Sequence, residues 1–313
     1  MNGVNSLTYI ALGFFDGVHL GHQALLRLCV EEAKVVHAVS TVILFDPHPE
    51  KVIHKLKHFY LLTPLKERIQ RIRRLGIQQI IIIDFTDEFQ KISAENFIVQ
   101  MLLNQFNMGA VFVGYNYHFG FQKKGDTNLL KKLSLHYPFQ TYIMDPKSLN
   151  CKQRISSTII KEQLKKGNIE KANQLLGYYY QLTGKVIHGE HRGKAILSFP
   201  TANLAITQEK LLPENGVYIA LAYFKGKRYQ GLVNIGHKPT FGYNQNRASI
   251  EVYIFGFNED IYNKKISISL LLKIRNEKKF KDSGDLALQI KKDKIIADTF
   301  FQENDFSFIN NHS

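Results

Sequence analysis

The sequence predicts an α/β domain with a mostly parallel sheet, followed by an antiparallel β domain that ends in a helix. Up to about residue 177, short runs rich in Val and Ile alternate with helical patterns, which is typical of a parallel sheet covered on both faces. Beyond that point, short alternating runs and tight turns replace this rhythm, as in an antiparallel barrel. The change of pattern predicts two domains, at 1–180 and 181–313.

In the first domain, each apolar run is separated from the next by an amphipathic run. We expect strands near 7–12, 38–45, 79–85, 110–115 and 140–145, and helices near 23–36, 64–75, 94–106 and 126–136. Thr63 and Pro64 form a favourable helix start, and Gly76 is a favourable stop. Ligands of such sheets bind beyond the carboxyl ends of the strands, so the segments that follow strands are candidates for a site.

The second domain shows a hairpin, two later strands and a closing helix. Residues 216–224 and 227–236 form two apolar runs around a short turn, and 250–257 and 266–275 are the later strands. The last helix runs from about 283 to 302. Its apolar residues available for packing are Leu286, Ile290, Ile295, Ile296 and Phe300.

The composition is that of a globular protein with an excess of positive charge. A chain of 313 residues with 44% hydrophobic and 22% charged residues can bury two cores. The net charge of +14 favours polyanions, whether nucleotides, RNA or anionic membranes. Because the lysines are scattered over predicted helix faces, where they are normally solvated, we expect neither a nucleic-acid partner nor a membrane partner.

The cysteines and the N-terminus indicate a cytoplasmic protein. Cys29 and Cys151 are far apart and form no CxxC pair, so neither a disulfide framework nor a zinc site is expected. The chain does not begin with a basic segment and an apolar core, and no apolar run approaches the ~20 residues of a membrane span.

The segment GFFDGVHLGH, at 13–22, is the strongest candidate for a phosphate site. It links a predicted strand to a predicted helix, and Gly13, Gly17 and Gly21 allow the backbone to approach a ligand closely. The helix start offers free N–H groups, and His19 and His22 lie on one face there. A glycine-rich turn alone is often only a turn, but the HxGH spacing is the signature of adenylyl- and cytidylyltransferases.

Three further segments follow predicted strands of the first domain. FDPHP, at 45–49, would hold His48 in a fixed turn, although a plain rigid loop is an equal alternative. GYNYHFG, at 114–120, combines glycines with aromatic residues and suits a stacked base or flavin ring. In RISSTIIK, at 154–161, hydroxyl groups at a helix start could hold a leaving phosphate or merely cap the helix. These hydroxyls belong to Ser156, Ser157 and Thr158.

Two segments of the second domain carry candidate chemistry. In 188–204 a basic loop with glycines could cover phosphates, and Thr201 and Asn203 could offer oxygen ligands to magnesium. A surface turn is an equal alternative for this segment. Glu251 lies in an apolar strand, where an acid is either paired structurally or serves as a base for a substrate hydroxyl.

These motifs, in this order, resemble the bifunctional bacterial riboflavin kinase/FAD synthetase family over nearly the whole chain. The resemblance rests on GFFDGVHLGH, FDPHP, GYNYHFG, ISST, FPTANL, LPENGVY, NIGHKPTF, the strand of Glu251 and RNEKKF. It implies a Rossmann-like α/β nucleotidyltransferase domain that joins FMN to the AMP part of ATP. It also implies a six-stranded antiparallel β-barrel riboflavin kinase domain with a C-terminal helix.

The resemblance also implies roles for individual residues of the first domain. The ATP-binding and catalytic residues would be Gly13, Phe15, Asp16, Gly17, His19, Gly21 and His22. The departing pyrophosphate would meet Ser156, Ser157, Thr158 and Lys161. His48 and Asn116 would lie close to the flavin or the nucleotide.

In the second domain, the resemblance implies that Thr201 and Asn203 bind Mg²⁺ and the ATP phosphates, with Glu251 as the catalytic base. The loop over ATP would contain Gly189, Gly193 and Lys194. The residues that flank the flavin would be Arg275, Glu277 and Phe280. Riboflavin, FMN and ATP are therefore the expected small-molecule partners, with Mg²⁺ as cofactor and FMN and FAD as products.

The chain departs from the family pattern at several positions. Lys161 replaces the usual Arg, which turns a bidentate phosphate contact into a point charge. Phe14 and Asn116 stand where Asn and an acid are common, and Ser198 and Lys238 replace a glycine and an arginine. One alternative is therefore a riboflavin kinase with a weak or silent adenylyltransferase domain. Another is a non-catalytic, basic nucleic-acid-binding protein.

Overall fold

The computed structural model describes residues 6–149, 153–187, 201–237 and 248–305. The chain divides into two compact units, Met1–Ser157 and Thr158–Ser313. Two short helices between residues 157 and 176 therefore group with the second unit, whereas the sequence pattern places the domain boundary near 180. A domain boundary near 180 stays a prediction.

The first unit contains the parallel sheet that the sequence predicts. Its five strands are all parallel and lie in the order β3-β2-β1-β4-β5. They are β1 (Thr8–Leu12), β2 (Val39–Asp46), β3 (Gln79–Asp84), β4 (Met108–Gly114) and β5 (Gln140–Met144). A two-stranded ribbon of β6 (Ser148–Leu149) and β7 (Gln153–Arg154) follows. The three strands that precede GFFDGVHLGH, FDPHP and GYNYHFG are neighbours, because β1 lies between β2 and β4.

Helices cover both faces of this sheet. They are α1 (Leu20–Val35), α2 (Pro49–Ile53), α3 (Leu65–Arg74), α4 (Ala94–Asn96) with its π-helical continuation (Phe97–Gln105), and α5 (Thr127–Leu133). Successive residues of β1 alternate between two cores: Tyr9 and Ala11 pack in the core with α1 and α3, and Ile10 and Leu12 in the other. The three inner strands, β1, β2 and β4, are mostly apolar because both of their faces are buried, whereas the edge strands β3 and β5 are partly exposed.

The second unit is a closed six-stranded antiparallel barrel, as expected. Its strands follow the order β10-β11-β12-β9-β8-β13 around the barrel. They are β8 (Tyr180–Ile187), β9 (Thr201–Ala205), β10 (Gly216–Phe224), β11 (Lys227–His237), β12 (Ala248–Ile254) and β13 (Lys265–Arg275). Its helices are α6 (Ser157–Lys165), α7 (Ile169–Leu176) and α8 (Ser283–Glu303). Gly177 ends α7 with φ at 74°, a left-handed conformation that glycine adopts readily.

Helix α8 packs on the barrel through some of the apolar residues that the sequence makes available: Leu286, Ile290 and Phe300 are half-buried. Ile295 and Ile296 are exposed, at 66% and 47%, so their expected packing role is wrong. The buried positions are Asp293 and Ala297, with Phe300 packed beside them. An acidic residue takes this place because Arg275 at the end of β13 neutralises it with a bidentate ion pair.

Candidate active sites

The turn after β1 has a backbone shape that surrounding residues enforce. Phe15, Gly17 and Val18 have φ values of 50°, 83° and 37°, of which only that of Gly17 is free of a side-chain penalty. The Phe15 ring is fully buried and lies against Gly13, where a Cβ would come within 3.0 Å of the ring. Gly13 is therefore needed for close packing.

Residues from the start of α3 hold this turn in place. The Thr63 backbone N–H donates to Asp16 Oδ1 at 3.0 Å, and Gly17 N–H donates to Thr63 Oγ1 at 2.8 Å. The buried Arg68 guanidinium donates to the carbonyl oxygen of Phe14 at 2.7 Å. The buried Asp16 carboxylate therefore holds the turn against the segment that leads into α3.

Sequence reasoning missed the roles of Thr63 and Arg68. The sequence pattern predicts Thr63 only as part of a helix start, and Arg68 is one of several arginines in α3. A signal for Arg68 was present, because it lies four residues before the buried Ile72 on the same helix face. No local signal ties Thr63 to Asp16, since the contact joins residues that are 47 positions apart.

The two histidines stack on each other at the start of α1. Their ring centroids are 3.6 Å apart, with the planes inclined by 13°. His19 is the N-cap of α1, and its Nδ1 accepts a hydrogen bond from the His22 backbone N–H at 3.2 Å. A Cβ at Gly21 would come within 3.2 Å of the His19 ring, so this glycine makes room for the stack.

Both imidazoles are neutral at pH 7. Burial lowers the pKa of His19 to about 4, against the opposing effects of a backbone hydrogen bond and Asp16. Burial also lowers the pKa of His22 well below its usual value, and the nearby His19 and Arg68 lower it further. Because His19 Nδ1 is an acceptor, its proton lies on Nε2. His22 Nδ1 is buried and makes no hydrogen bond within the described part of the chain.

A pocket of about 340 Å³ opens at the same edge of the sheet, within the first unit. Its walls come from three segments that the sequence analysis singled out: Phe14 of 13–22, Phe45 and Pro49 of 45–49, and Tyr117 with Phe119 of 114–120. Further aromatic lining comes from Phe85, Phe89 and Phe97. A mostly apolar pocket with aromatic walls suits a flat aromatic ring system.

One polar cluster lies at this pocket. Lys123 Nζ is 3.1 Å from Glu50 Oε1, and His54 Nε2 is 3.1 Å from Glu50 Oε2; all three residues line the pocket. Partial burial alone would raise the pKa of Glu50, but the hydrogen bond and charge of Lys123 lower it overall. The cluster gives a mostly apolar pocket a charged edge.

His48 and Asn116 do not line the pocket directly. His48 is buried between the rings of Phe14 and Phe59, with centroids 4.7 and 4.6 Å away, and its Nδ1 accepts from the Glu50 N–H. His48 is the N-cap of α2, which begins at Pro49, so FDPHP leads into a helix and is not a plain loop. The Asn116 side chain is exposed, and the Asn116 carbonyl oxygen lies 3.0 Å from His118 Nδ1. His48 therefore supports a wall of the pocket.

The predicted pyrophosphate residues lie at the start of α6. Ser157 Oγ donates to the carbonyl oxygen of Asp16 at 2.8 Å, which places this hydroxyl at the turn after β1. Ser156 is half-buried and Thr158 is exposed, and Lys161 follows one turn later in α6.

In the second unit, the barrel register brings the predicted kinase residues into one row. Asn203 of β9 is paired with Glu251 of β12, which is paired with Asn234 of β11. Asn234 is paired with Val217 of β10, and Val217 with Arg275 of β13. Directly paired residues place their side chains on one face, with Cβ atoms ~5 Å apart between neighbouring strands. Glu251 and Asn203 therefore share a face.

Thr201 and Asn203 suit a hard cation by their chemistry. They are two residues apart on β9, so both side chains lie on the same face of the barrel, and both are half-buried. A hydroxyl and an amide oxygen, next to the Glu251 carboxylate, are ligands that Mg²⁺ accepts. Within the described residues, no group of three His, Cys, Asp or Glu side chains forms a metal cluster.

Arg275, at the end of β13, and Glu277, just after it, contact other residues of the second unit. Arg275 Nε and Nη2 donate to Asp293 Oδ2 at 2.9 and 2.7 Å, and the guanidinium lies 5.9 Å from the Phe280 ring. The Glu277 carboxylate covers Gly236 so closely that a Cβ there would collide with it. The predicted loop residues Gly189, Gly193 and Lys194 lie outside the described residues.

Comparisons with known proteins agree with this division into two sites. A family model described as FAD synthetase matches residues 2–159, and one described as riboflavin kinase matches 176–301. No helix in the described ranges is long and apolar enough to span a bilayer.

Relatives match nearly the whole chain. A "Bifunctional riboflavin kinase/FMN adenylyltransferase" of Buchnera aphidicola subsp. Acyrthosiphon pisum is 36% identical over 299 residues, which are 95% of each chain. A protein of the same description from Bacillus subtilis is 36% identical over 294 residues, 93% of this chain and 92% of the relative. A solved structure described as "Macrolide-efflux Protein from Streptococcus pneumoniae" is 30% identical, covers 94% of this chain and 95% of its own, and superposes with a TM-score of 0.85.

Proposed function

The chain belongs to the bifunctional riboflavin kinase/FMN adenylyltransferase family, and on this premise we propose that it phosphorylates riboflavin to FMN and adenylylates FMN to FAD, using ATP in both steps. The observation that carries the proposal is that each unit assembles one of the two sets of residues. The first unit has the histidine turn beside an aromatic pocket. The second has Glu251 beside Asn203.

In the first unit, the FMN phosphate attacks the α-phosphorus of ATP. A new P–O bond forms to the FMN phosphate, and the bond to the β-phosphate breaks to release pyrophosphate. The flavin ring occupies the aromatic pocket, and the ATP phosphates lie at the turn of 13–22. His19 and His22 act as neutral hydrogen-bond donors toward charge that develops on the phosphates, which suits electrostatic stabilisation without a change in protonation.

We propose that the hydroxyl of Ser157, which lies at the turn of 13–22, binds the departing pyrophosphate. The resemblance to the family assigns Thr158 and the positive charge of Lys161 to the same phosphate. Lys161 supplies this charge as a point contact, where an arginine would bind two oxygens. We therefore expect adenylyl transfer to be the slower of the two steps.

In the second unit, Glu251 accepts the proton of the riboflavin 5′-hydroxyl as that oxygen attacks the γ-phosphorus of ATP. The bond between the γ-phosphorus and the oxygen that bridges it to the β-phosphate breaks, and ADP leaves. We propose that Thr201 and Asn203 hold Mg²⁺ together with the ATP phosphates, where the ion would neutralise phosphate charge. Arg275, through its bond with Asp293, fixes the loop that carries Glu277 and Phe280 at the flavin.

A time course with the full chain tests the proposal. Riboflavin, ATP and Mg²⁺ are incubated with the protein, and the flavins are separated by chromatography; a parallel reaction contains EDTA. We expect FMN to appear first and then to convert to FAD, with neither product in EDTA. FMN without FAD would remove the adenylyltransferase half of the proposal. Absence of product from riboflavin and from supplied FMN would overturn it altogether, and salt-sensitive RNA retention by such a preparation would favour a nucleic-acid-binding protein.

A further inference from the structure

Asn234 is a polar residue within the apolar run 231–236 of β11, and its side chain makes no hydrogen bond in the described part of the structure. Its neighbours in β11 are Val233 and Ile235, both fully buried. The Asn234 side chain itself is half-buried. An amide that is partly removed from water without a partner destabilises the folded state, so a reason for its presence is expected.

The position of Asn234 indicates that reason. It lies directly opposite Glu251 in the antiparallel pair of β11 and β12, so the two side chains share a face with Cβ atoms ~5 Å apart. Two residues further along β11, on the same face, Gly236 is covered by the Glu277 carboxylate. Asn234 therefore lies between the proposed base and the loop proposed to flank the flavin.

The amide has the chemistry of a partner for hydroxyl groups. Its carbonyl oxygen accepts and its NH₂ group donates hydrogen bonds, whereas an ionised carboxylate only accepts. A hydroxyl both donates and accepts, so an amide can bind it in either sense. The riboflavin side chain is a polyol whose terminal hydroxyl is the one phosphorylated.

We propose that Asn234 binds a hydroxyl of the riboflavin polyol chain, adjacent to the terminal hydroxyl from which Glu251 takes the proton. This inference rests on the proposed kinase function of the same site. Asn234 is then a substrate-binding residue that orients the nucleophile. It selects flavins that carry the hydroxylated chain.

The test combines a variant with substrate analogues. Asn234→Ala should raise the KM for riboflavin about 10-fold, as expected for one lost hydrogen bond, and leave the KM for ATP unchanged. Riboflavin analogues that each lack one internal hydroxyl of the chain are then compared in both proteins. One deletion should reduce kcat/KM about 10-fold in the parent and have little effect in Asn234→Ala, because the contact is already absent.

Two further variants control for structural effects. Gln230→Ala removes an exposed amide from the same strand and the same face, four residues away, and should leave both KM values unchanged. Asn234→Ser keeps a small hydrogen-bonding group and should recover part of the riboflavin affinity; it carries the analogue comparison if the alanine variant fails to fold.

Equal losses for every analogue in the parent and the Asn234 variants would overturn this inference while leaving the kinase function intact. FMN adenylylation from supplied FMN, measured in the same preparations, should remain at the parental rate. A parent that forms no FMN from riboflavin identifies a failure of the proposed function itself. The two failures are therefore distinguishable.

Discussion

His19 is kept neutral by burial and by its place in the hydrogen-bond pattern. Its Nδ1 accepts from the His22 N–H, which requires that nitrogen to be unprotonated. A protonated imidazole would lose this helix cap and would carry a charge in a buried position. The two imidazoles therefore stay neutral across the physiological pH range.

This arrangement predicts a loss of stability in mild acid. The pKa of His19 is about 4 in the folded chain and ~6.5 when unfolded, so the unfolded state takes up the proton first as pH falls. The contribution of neutral His19 to the free energy of unfolding is fully present above pH ~6.5. It is lost as the pH falls toward 4, by up to about 1.4 kcal/mol per pH unit. NMR of the imidazole resonances should show no inflection for His19 or His22 between pH 7.5 and 5.5.

His19→Asn is the matched variant for this prediction, because asparagine retains an N-cap acceptor but does not titrate. The free energy of unfolding, measured with urea between pH 7.5 and 5, should fall less steeply in the variant than in the parent. An unchanged slope, or an inflection of the His19 resonance near 6.5, would contradict the buried neutral state.

At the scale of single elements, helix α8 is attached to the barrel by one buried ion pair. Asp293 is 2% exposed, and Gln289 also donates to Asp293 Oδ1 at 2.8 Å. The large apolar side chains of α8 that pack on the barrel core are those of Phe300 and Phe301. The pair therefore fixes the helix on one side and the loop after β13 on the other.

Asp293→Asn should destabilise the second unit and weaken its activity. Loss of one partner leaves the Arg275 charge without compensation, which typically costs about 3 kcal/mol for a buried pair. We expect a lower midpoint of thermal unfolding and a rise in the KM for riboflavin, because the loop with Glu277 and Phe280 loses its anchor. Circular dichroism and the FMN assay measure the two effects.

The control uses another ion pair of the same helix. Lys294 and Asp298 form a half-exposed pair at 2.6 Å, for which Asp298→Asn should change stability by less than about 1 kcal/mol. The double variant Arg275→Met/Asp293→Leu should recover stability without recovering the riboflavin KM. A full recovery of both would show that the pair serves packing alone.

The elements that could be predicted were those with a local signal. Each strand of the parallel sheet contains a short apolar run. The run is continuous in the inner strands because successive residues pack into the two cores on opposite faces of the sheet. Ile295 and Ile296 were misassigned because a helical pattern cannot show that a distant Arg275 makes Asp293 the buried residue. The same limit explains why Asn234 was missed, since its meaning depends on the register between β11 and β12.

The site itself was predicted in unequal parts. Glycine and histidine spacing pointed to the turn of 13–22, and the structure brings that turn together with the segments at 45–49 and 114–120. Phe85, Phe89 and Phe97 complete the pocket from segments without any motif. The roles assigned to individual residues, including His48 and Asn116, stay predictions until they are measured.

At the scale of the whole molecule, the proposed reacting groups His22 and Glu251 lie in different units, so the two activities should be separable. Glu251→Gln should reduce FMN formation at least 100-fold and leave FAD formation from supplied FMN unchanged. His22→Ala should do the reverse. Product analysis by chromatography, with thermal unfolding to verify the fold, measures both. Loss of both activities in either folded variant would contradict the division of labour.

The left-handed backbone at Phe15 and Val18 has a consequence for how the phosphate site forms. Each of these residues adopts a conformation that costs roughly 1 kcal/mol or more for a side chain with a Cβ. The offsetting contacts come from Thr63 and Arg68, which lie 46 and 54 residues beyond their partners Gly17 and Phe14. An isolated peptide of 8–35 should therefore not keep this turn. During synthesis, the proposed phosphate site should therefore form only after α3 has docked.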